Sequence, residues 1–502
     1  MNSTKPLKVA VIGAGLGGLA AAVRLAVHGY EVDVYEQSEG AGGKAGVFES
    51  DGFRFDTGPS LLTLPDVFQD LFTFSDENIQ DYLEYDKLPL LCRYFYPDGT
   101  LLNCYSDQEK LQHEIQTKFG AEAGDIREYF DYTATMYEAA ADYFLRNPVE
   151  TYANPFHKAN WPLYRNLLKI DAFRSMHDAN VAHFNDPRLV QLFDRYATYN
   201  GSSPFKAPAT LNMISHVEHT LGGFRVKGGI HEITKALYQL ALKKGVHFYF
   251  KSKVERITHT NGVVRGIKIH EADIPYDSVL SNIDVYKTFT ELLEDTESKE
   301  IKRYLKQEPS SSVIVFLWGM SELFPELDTH NIFFSEHYKN EFRQIFNDGL
   351  VPDDPTIYIN ITSKNDSVDA PPGCENWFVL VNTPYDSGQD WKELAEVLRE
   401  RIIDKLEKML HRDIGPMIKV EKCFTPVDIA ASTGSYLGSL YGISSNSRFA
   451  AFRRQPNRSR SYKNLYFCGG SAHPGGGMPL VVLSGKIASE LIVEDHGKER
   501  YA

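Results

Sequence analysis

Cysteine is scarce in this chain: five residues in 502, at positions 92, 104, 374, 423 and 468, odd in number and nowhere spaced C-x-x-C. Neither a disulfide framework nor a zinc site is expected, and a reducing compartment fits best. Positive charge is in deficit, with 53 Lys and Arg against 67 Asp and Glu for a net charge of −14. Nucleic-acid binders normally carry a basic face, so that class of partner is set aside. Long apolar runs are lacking too. The strongest, Ser311 to Met320, is strand-length, well short of the roughly 18–20 residues that span a bilayer. Met1 to Ala10 shows no charged leader followed by an apolar stretch, so no secretory signal is expected. These absences point to a cytoplasmic protein whose membrane contact, if it has any, is peripheral.

The composition is an ordinary globular mixture, 42% hydrophobic and 24% charged, long enough for two or three domains with a sizeable core. Its most informative segment comes first. Lys8 to Ile12 form a short apolar strand running into Gly13-Ala14-Gly15-Leu16-Gly17-Gly18, after which Leu19, Ala22, Val23 and Ala26 recur at helical spacing. A dinucleotide site asks for this strand, turn and helix: Gly13 for the tight turn, Gly15 for approach of a pyrophosphate, Gly18 for helix against strand, and a helix start facing the anion. A second apolar strand, Glu31 to Tyr35, ends at Glu36 and Gln37. A carboxylate at that point accepts hydrogen bonds from ribose hydroxyls.

Two further segments favour a flavin over a nicotinamide. Gly42-Gly43-Lys44 follows closely and leads to Asp51-Gly52-Phe53-Arg54-Phe55-Asp56-Thr57-Gly58-Pro59-Ser60. The glycines let backbone pass near a phosphate, and Lys44 could meet a charge there; a plain turn with an exposed lysine is the simpler alternative. Near the C-terminus, Leu465 to Gly470 reads as a buried strand, followed by Ser471-Ala472-His473-Pro474-Gly475-Gly476-Gly477 and a helix from about Met478 through Leu491. The amide-rich start of that helix suits the pyrimidine end of a reduced flavin.

Together these segments resemble the flavin-dependent amine-oxidase-like superfamily and, within it, bacterial carotenoid desaturases of the phytoene and dehydrosqualene type. The resemblance runs end to end. It is carried by Val11 to Gln37, Gly52 to Phe68, Phe224 to Leu237, Leu280 to Asp284, Phe424 to Asp428, Gly438 to Gly442 and Leu465 to Pro479. It implies an α/β fold, with a Rossmann-like FAD-binding domain and an interleaved α+β substrate domain. The FAD domain is expected to be discontinuous, built from 1–75, 225–285 and 420–502, with 76–224 and 286–419 forming the substrate-binding and membrane-contacting region. The cofactor residues implied are Gly13, Ala14, Gly15, Leu16, Gly17, Gly18, Glu36, Gln37, Gly43, Lys44, Gly58, Pro59, Ser60, Leu61, Val254, Asn282, Gly470, Gly477, Met478 and Leu480. No metal is implied. The activity implied is hydride removal from a polyene to flavin, with oxygen or a quinone as final electron acceptor. The Gly469 to Leu480 segment departs from the usual phytoene-type motif and looks more like that of hydroxycarotenoid 3,4-desaturases. Phytoene-type desaturation, carotenoid isomerisation or saturation, and a flavin-free isoprenoid-binding chaperone remain alternatives.

The catalytic candidates are His473, beside the flavin-like turn, and the Asp142/Arg146 pair, whose spacing also suits an ordinary helix ion pair. Met478 and Leu480 are expected to shape the tunnel at the reacting centre. His177, His183, Asn200 and His216 are candidates to bind a substrate hydroxyl. Asp125 to Phe205 holds 16 aromatics in 81 residues, read as the lining of a hydrophobic tunnel, with plain core as the alternative. Asn261-Gly262 after Val246 to Ile257 signals a hairpin. Arg453, Arg454, Arg458 and Arg460 place four cations within eight residues, enough to meet anionic lipid headgroups or to form a solvated loop.

Overall fold

The computed structural model describes residues 6–153, 161, 166 and 169–501. Two sheets organise the chain. The first is five-stranded and wholly parallel, in the order Leu465–Phe467, Ser278–Ser281, Lys8–Ile12, Glu31–Tyr35, His247–Tyr249. Its strands come from three separate stretches of sequence. Lys8–Ile12 is apolar at consecutive positions because both faces of the sheet are covered. Val9 and Val11 pack into a core with the helices Leu16–Val27, His231–Lys243 and Met478–Tyr501, whereas Ala10 and Ile12 join Val254, Ile257, Ile267 and Phe289 on the opposite face.

That opposite face is covered by a small antiparallel sheet, Arg256–Thr260, Val263–Ile269 and Ala272–Pro275. Asn261 and Gly262 take φ of 51° and 75°, the left-handed pair a tight hairpin turn requires. The stretch Val246 to Ile257 contributes to two strands, His247–Tyr249 of the parallel sheet and the start of Arg256–Thr260; residues 250–255 link them, with Val254 buried in that link.

The second sheet has seven strands, in the order Ile418–Phe424, Ser312–Met320, Glu375–Thr383, Ile357–Asn360, His330–Phe333, Leu90–Phe95, Leu101–Tyr105. Neighbours are antiparallel except His330–Phe333 against Leu90–Phe95. All nine residues of Ser312–Met320 are buried. Ile314, Phe316 and Trp318 face the helix Trp391–Leu410, and Val313, Val315 and Leu317 face Phe53 and Phe55.

Two domain limits differ from the sequence expectation. The limit at 420 falls inside Ile418–Phe424, which belongs to the second sheet because it pairs with Ser312–Met320. Residues just after 285 stay with the parallel sheet, since Phe289, Leu292, Ile301 and Tyr304 pack against Ile12 and Phe467. Among the described residues, no helix is long and apolar enough to cross a membrane.

Candidate active site

A single continuous cavity of about 1280 Å³ runs between the two sheets, beyond the roughly 300–1,000 Å³ usual for one small ligand. One end is walled by glycine turns and Glu36, the other by Val313, Val315, Ile332, Phe378 and Leu380.

At the glycine end the first turn is set by backbone geometry. Gly13 has φ of 97°, open to glycine but not to other residues without strain, and its amide donates to the Tyr35 carbonyl at 2.8 Å. A Cβ on Gly18 would lie 2.3 Å from the Gly13 carbonyl oxygen, so the helix rests directly on the turn. That helix starts at Gly15 with no side-chain cap, leaving first-turn amides available to an anion. Glu36, half-buried at the strand end, is held by two amides: Oε2 accepts from Ala14 N at 2.8 Å and Oε1 from Ser38 N at 2.9 Å. Asn282 Nδ2 donates to the Gly13 carbonyl at 3.2 Å. Lys44 donates to the Leu440 carbonyl at 2.7 Å. Burial lowers its ammonium to about 8, against an upward pull from Asp284.

Of the implied cofactor residues, Gly13, Gly15, Leu16, Gly17, Glu36, Gln37, Gly43, Lys44, Gly58, Pro59, Ser60, Leu61, Val254, Asn282, Gly470, Gly477 and Met478 line this one cavity. Ala14 and Gly18 stand behind it, Ala14 through its bond to Glu36 and Gly18 through packing. Leu480 does not line it. Its side chain packs against the core of the parallel sheet, two residues along the helix from Met478, so Leu480 does not take the tunnel-lining position expected of it.

Of the catalytic candidates, His473 and Arg146 lie outside the lining. His473 is buried, and its Nε2 donates to the Asn147 carbonyl at 2.9 Å. Burial pushes the ring down to about 4, so it is neutral and ties the C-terminal turn to the end of the helix Ile126–Arg146. Arg146 reaches Asp66 at 3.4 Å on an exposed surface. Asp142 lies in the same helix, with its side chain outside the described residues.

Among the described residues, the aromatic stretch is chiefly core. Phe184 stacks on Phe193 and Tyr129 tilts against both, with ring centroids 4.3–4.9 Å apart, inside a cluster with Phe130 and Tyr196, because bulky rings on facing helices fill one another's gaps. Among the described residues of that stretch, Arg195, Thr198 and Tyr199 line the cavity. The hydroxyl-binding candidates are not among the lining residues: His177 bonds Asp194 at 2.7 Å, His183 and His216 lie tilted against Tyr132 and Tyr137, and the Asn200 carbonyl accepts from Ser202.

The cavity's polar wall comes instead from residues that sequence reasoning missed. Arg195 and Glu218 form a buried ion pair at 2.8 Å. Arg195 Nε donates to Tyr94 Oη at 2.7 Å, and Tyr196 and Tyr199 hydroxyls donate to the Glu218 carboxylate. Burial raises the Glu218 carboxyl, but Arg195, His219 and the two hydroxyls outweigh it and the net shift is downward. Nearby, Ser60 Oγ and Tyr358 Oη lie 2.5 Å apart, and Tyr358 Oη is 2.7 Å from His330 Nδ1. The available signal was the adjacent charged pair Asp194 and Arg195 among Leu189, Val190, Leu192, Phe193 and Tyr196. Among the described residues, no group of His, Cys, Asp or Glu is placed to hold a metal ion.

The donor set fits FAD. Glu36 would take the ribose hydroxyls, the uncapped helix start beyond Gly15 the pyrophosphate, and the Gly477–Met478 helix start the pyrimidine edge. Comparison with known proteins agrees. The model of the flavin containing amine oxidoreductase family matches residues 16–493. The chain is 43% identical over 488 residues to the 1-hydroxycarotenoid 3,4-desaturase of Flavobacterium sp. (strain P99-3), covering 97% of this chain and 99% of that protein. It is 37% identical over 501 residues to the 4,4'-diapolycopene oxygenase of Methylomonas sp., covering 99% and 100%. The crystal structure of an oxidoreductase from Methanosarcina mazei shares the fold, with a TM-score of 0.65 at 16% identity over 96% of this chain and 100% of that one. The chain thus belongs to the flavin containing amine oxidoreductase family, as an FAD-dependent oxidoreductase of the carotenoid desaturase type.

Proposed function

We propose that the protein desaturates a carotenoid carrying a hydroxyl at C1, introducing the 3,4 double bond. The carrying observation is the continuity of the cavity, in which a glycine-walled dinucleotide end opens directly onto an apolar channel. The 43% identity to a 1-hydroxycarotenoid 3,4-desaturase supports the substrate class. FAD bound in this cavity supplies a two-electron acceptor for the hydride leaving an allylic carbon, the neighbouring carbon losing a proton, with oxygen or a quinone taking the electrons afterwards. Val313, Val315, Ile332, Phe378 and Leu380 hold the chain extended and keep water away, so orientation is the protein's main contribution. The polyene spreads the developing positive charge, and a strong protein base is not required.

The test is turnover of a 1-hydroxylated carotenoid and of phytoene by the flavin-loaded protein under identical conditions. The expected product is the hydroxylated polyene less two hydrogens. Desaturation of phytoene alone, or a product that has gained an oxygen atom, overturns the proposal.

The same proposal places the protein peripherally on the cytoplasmic face of the cell membrane. Of the four clustered arginines, Arg454 is buried against the Tyr441 and Ile443 carbonyls and Arg458 pairs with Asp495, leaving Arg453 and Arg460 exposed. Arg453 borders a cleft with Lys299, Lys302, Arg303 and Lys306, and exposed Phe449 and Phe452 lie beside it. Cations at an anionic surface each contribute about 1 kcal/mol, and the two rings could enter the interface. Arg303→Glu with Lys306→Glu is expected to weaken sedimentation with phosphatidylglycerol vesicles by about tenfold or more. Equal binding by the wild type to anionic and neutral vesicles overturns this placement.

A further inference from the structure

His330 opens the strand His330–Phe333 and is buried in the cavity wall, 4% exposed. Its hydrogen bonds determine which nitrogen carries the proton. Asn360 Nδ2 donates to the Thr329 carbonyl at 3.0 Å, which orients the amide so that its NH₂ also faces His330 Nδ1 at 3.3 Å. With an N–H group facing it, Nδ1 is the acceptor nitrogen, and its one lone pair takes the Tyr358 hydroxyl at 2.7 Å as the main donor. Burial pushes the ring down to about 4, so it is neutral near pH 7 and its single proton sits on Nε2. Among the described residues, that Nε2–H has no hydrogen-bond acceptor. A donor that opens onto the wall of a ligand cavity with no acceptor from the protein is placed to meet an acceptor on the ligand.

Its location narrows that ligand. Tyr358 Oη also contacts Ser60 Oγ at 2.5 Å, and Ser60 belongs to the Gly58 to Leu61 segment assigned to the flavin. His330 is thus two hydrogen bonds from Ser60, in the segment assigned to the flavin. In a 1-hydroxylated polyene undergoing 3,4-desaturation, the oxygen is only three bonds from C3, so a group that recognises it must stand beside the reacting bond. Arg195 and Glu218, the other strong polar groups nearby, already satisfy each other.

We propose that His330 Nε2–H donates a hydrogen bond to the C1 oxygen of the polyene, making His330 the residue that selects a hydroxylated end and sets the 3,4 bond over the flavin. This rests on the substrate reading above. Tyr358 and Asn360 are positioning residues that hold the tautomer.

The experiment measures affinity and turnover separately in flavin-loaded protein. Affinity is read by quenching of tryptophan fluorescence, with three polyenes of equal length: the 1-hydroxy compound, its 1-methyl ether and the compound lacking oxygen. The wild type is expected to prefer the alcohol over the oxygen-free polyene by about tenfold to a hundredfold. The ether, which can still accept, is expected to bind within about fivefold of the alcohol. An ether that binds only as well as the oxygen-free polyene overturns the assignment, because the protein's partner would then be an acceptor such as Glu218. His330→Phe is expected to abolish the preference with little change for the oxygen-free polyene, and His330→Gln, which retains a donor, to preserve most of it. Equal losses on all three polyenes in His330→Phe overturn a role in selection. Wild-type protein that shows the preference in binding but produces no 3,4-desaturated product refutes the reaction reading and leaves the His330 assignment supported.

Discussion

Replacing Arg195 by methionine is expected to cost about 3–5 kcal/mol of folding stability at pH 8, measured by denaturant unfolding of the flavin-free protein. The side chains of Arg195 and Glu218 are 7% and 2% exposed, so removing the guanidinium leaves a carboxylate buried without its counter-charge. The Tyr196 and Tyr199 hydroxyls still donate to Glu218 but cannot neutralise it. The defect should depend on pH in a defined direction. In the wild type the folded-state pKa of Glu218 is lowered, so this group stabilises the fold above its unfolded pKa and loses that contribution as pH falls through the folded value. In the variant the folded pKa rises above the unfolded value, and the penalty shrinks as acid neutralises the carboxyl. The gap between wild type and variant is therefore expected to narrow from pH 8 toward pH 5. Adding Glu218→Leu should recover most of the loss, since a buried pair replaced by apolar groups is often neutral or stabilising. A constant gap across that range, or a double variant worse than the single one, contradicts the account.

Glu36→Ala is expected to weaken FAD binding by about 1.5–3 kcal/mol, roughly tenfold to more than a hundredfold in Kd. The carboxylate takes amide donors from Ala14 and Ser38, which fixes both oxygens at the mouth of the glycine turn where ribose hydroxyls would add to them. The measurement is flavin stoichiometry after gel filtration, followed by reconstitution with added FAD. Glu36→Gln keeps the shape and one acceptor oxygen and should fall between the two. Flavin retention unchanged in Glu36→Ala would place the ribose elsewhere.

The cofactor end was legible because its determinants are local. Val9 to Ile12 announce a strand buried on both faces, Gly13 supplies a φ closed to other residues, and the interval to Glu36 is the length of one helix and one strand. None of these depends on the rest of the chain. His473 misled for a related reason: adjacency to the glycine turn is visible in sequence, but the direction of its ring is chosen by the Asn147 carbonyl at the end of a helix more than three hundred residues earlier. The aromatic density of Asp125 to Phe205 was likewise visible, but not whether those rings face a channel or one another.

The sequence by itself determined the dinucleotide turn, the carboxylate at its edge, the hairpin at Asn261-Gly262 and the family, because each is written in short-range spacing or in residue identity. Only the tertiary structure decided what surrounds the polyene. Arg195, Glu218, His330 and Tyr358 come from four separate segments of the chain, and they converge because the second sheet sets His330–Phe333 beside Ile357–Asn360 while hydrogen bonds through Tyr94 and Tyr196 hold Arg195 and Glu218 against the cavity. The physical reason is that a buried polar group is defined by its partners, and closure of the fold decides which ones Arg195 and His330 meet.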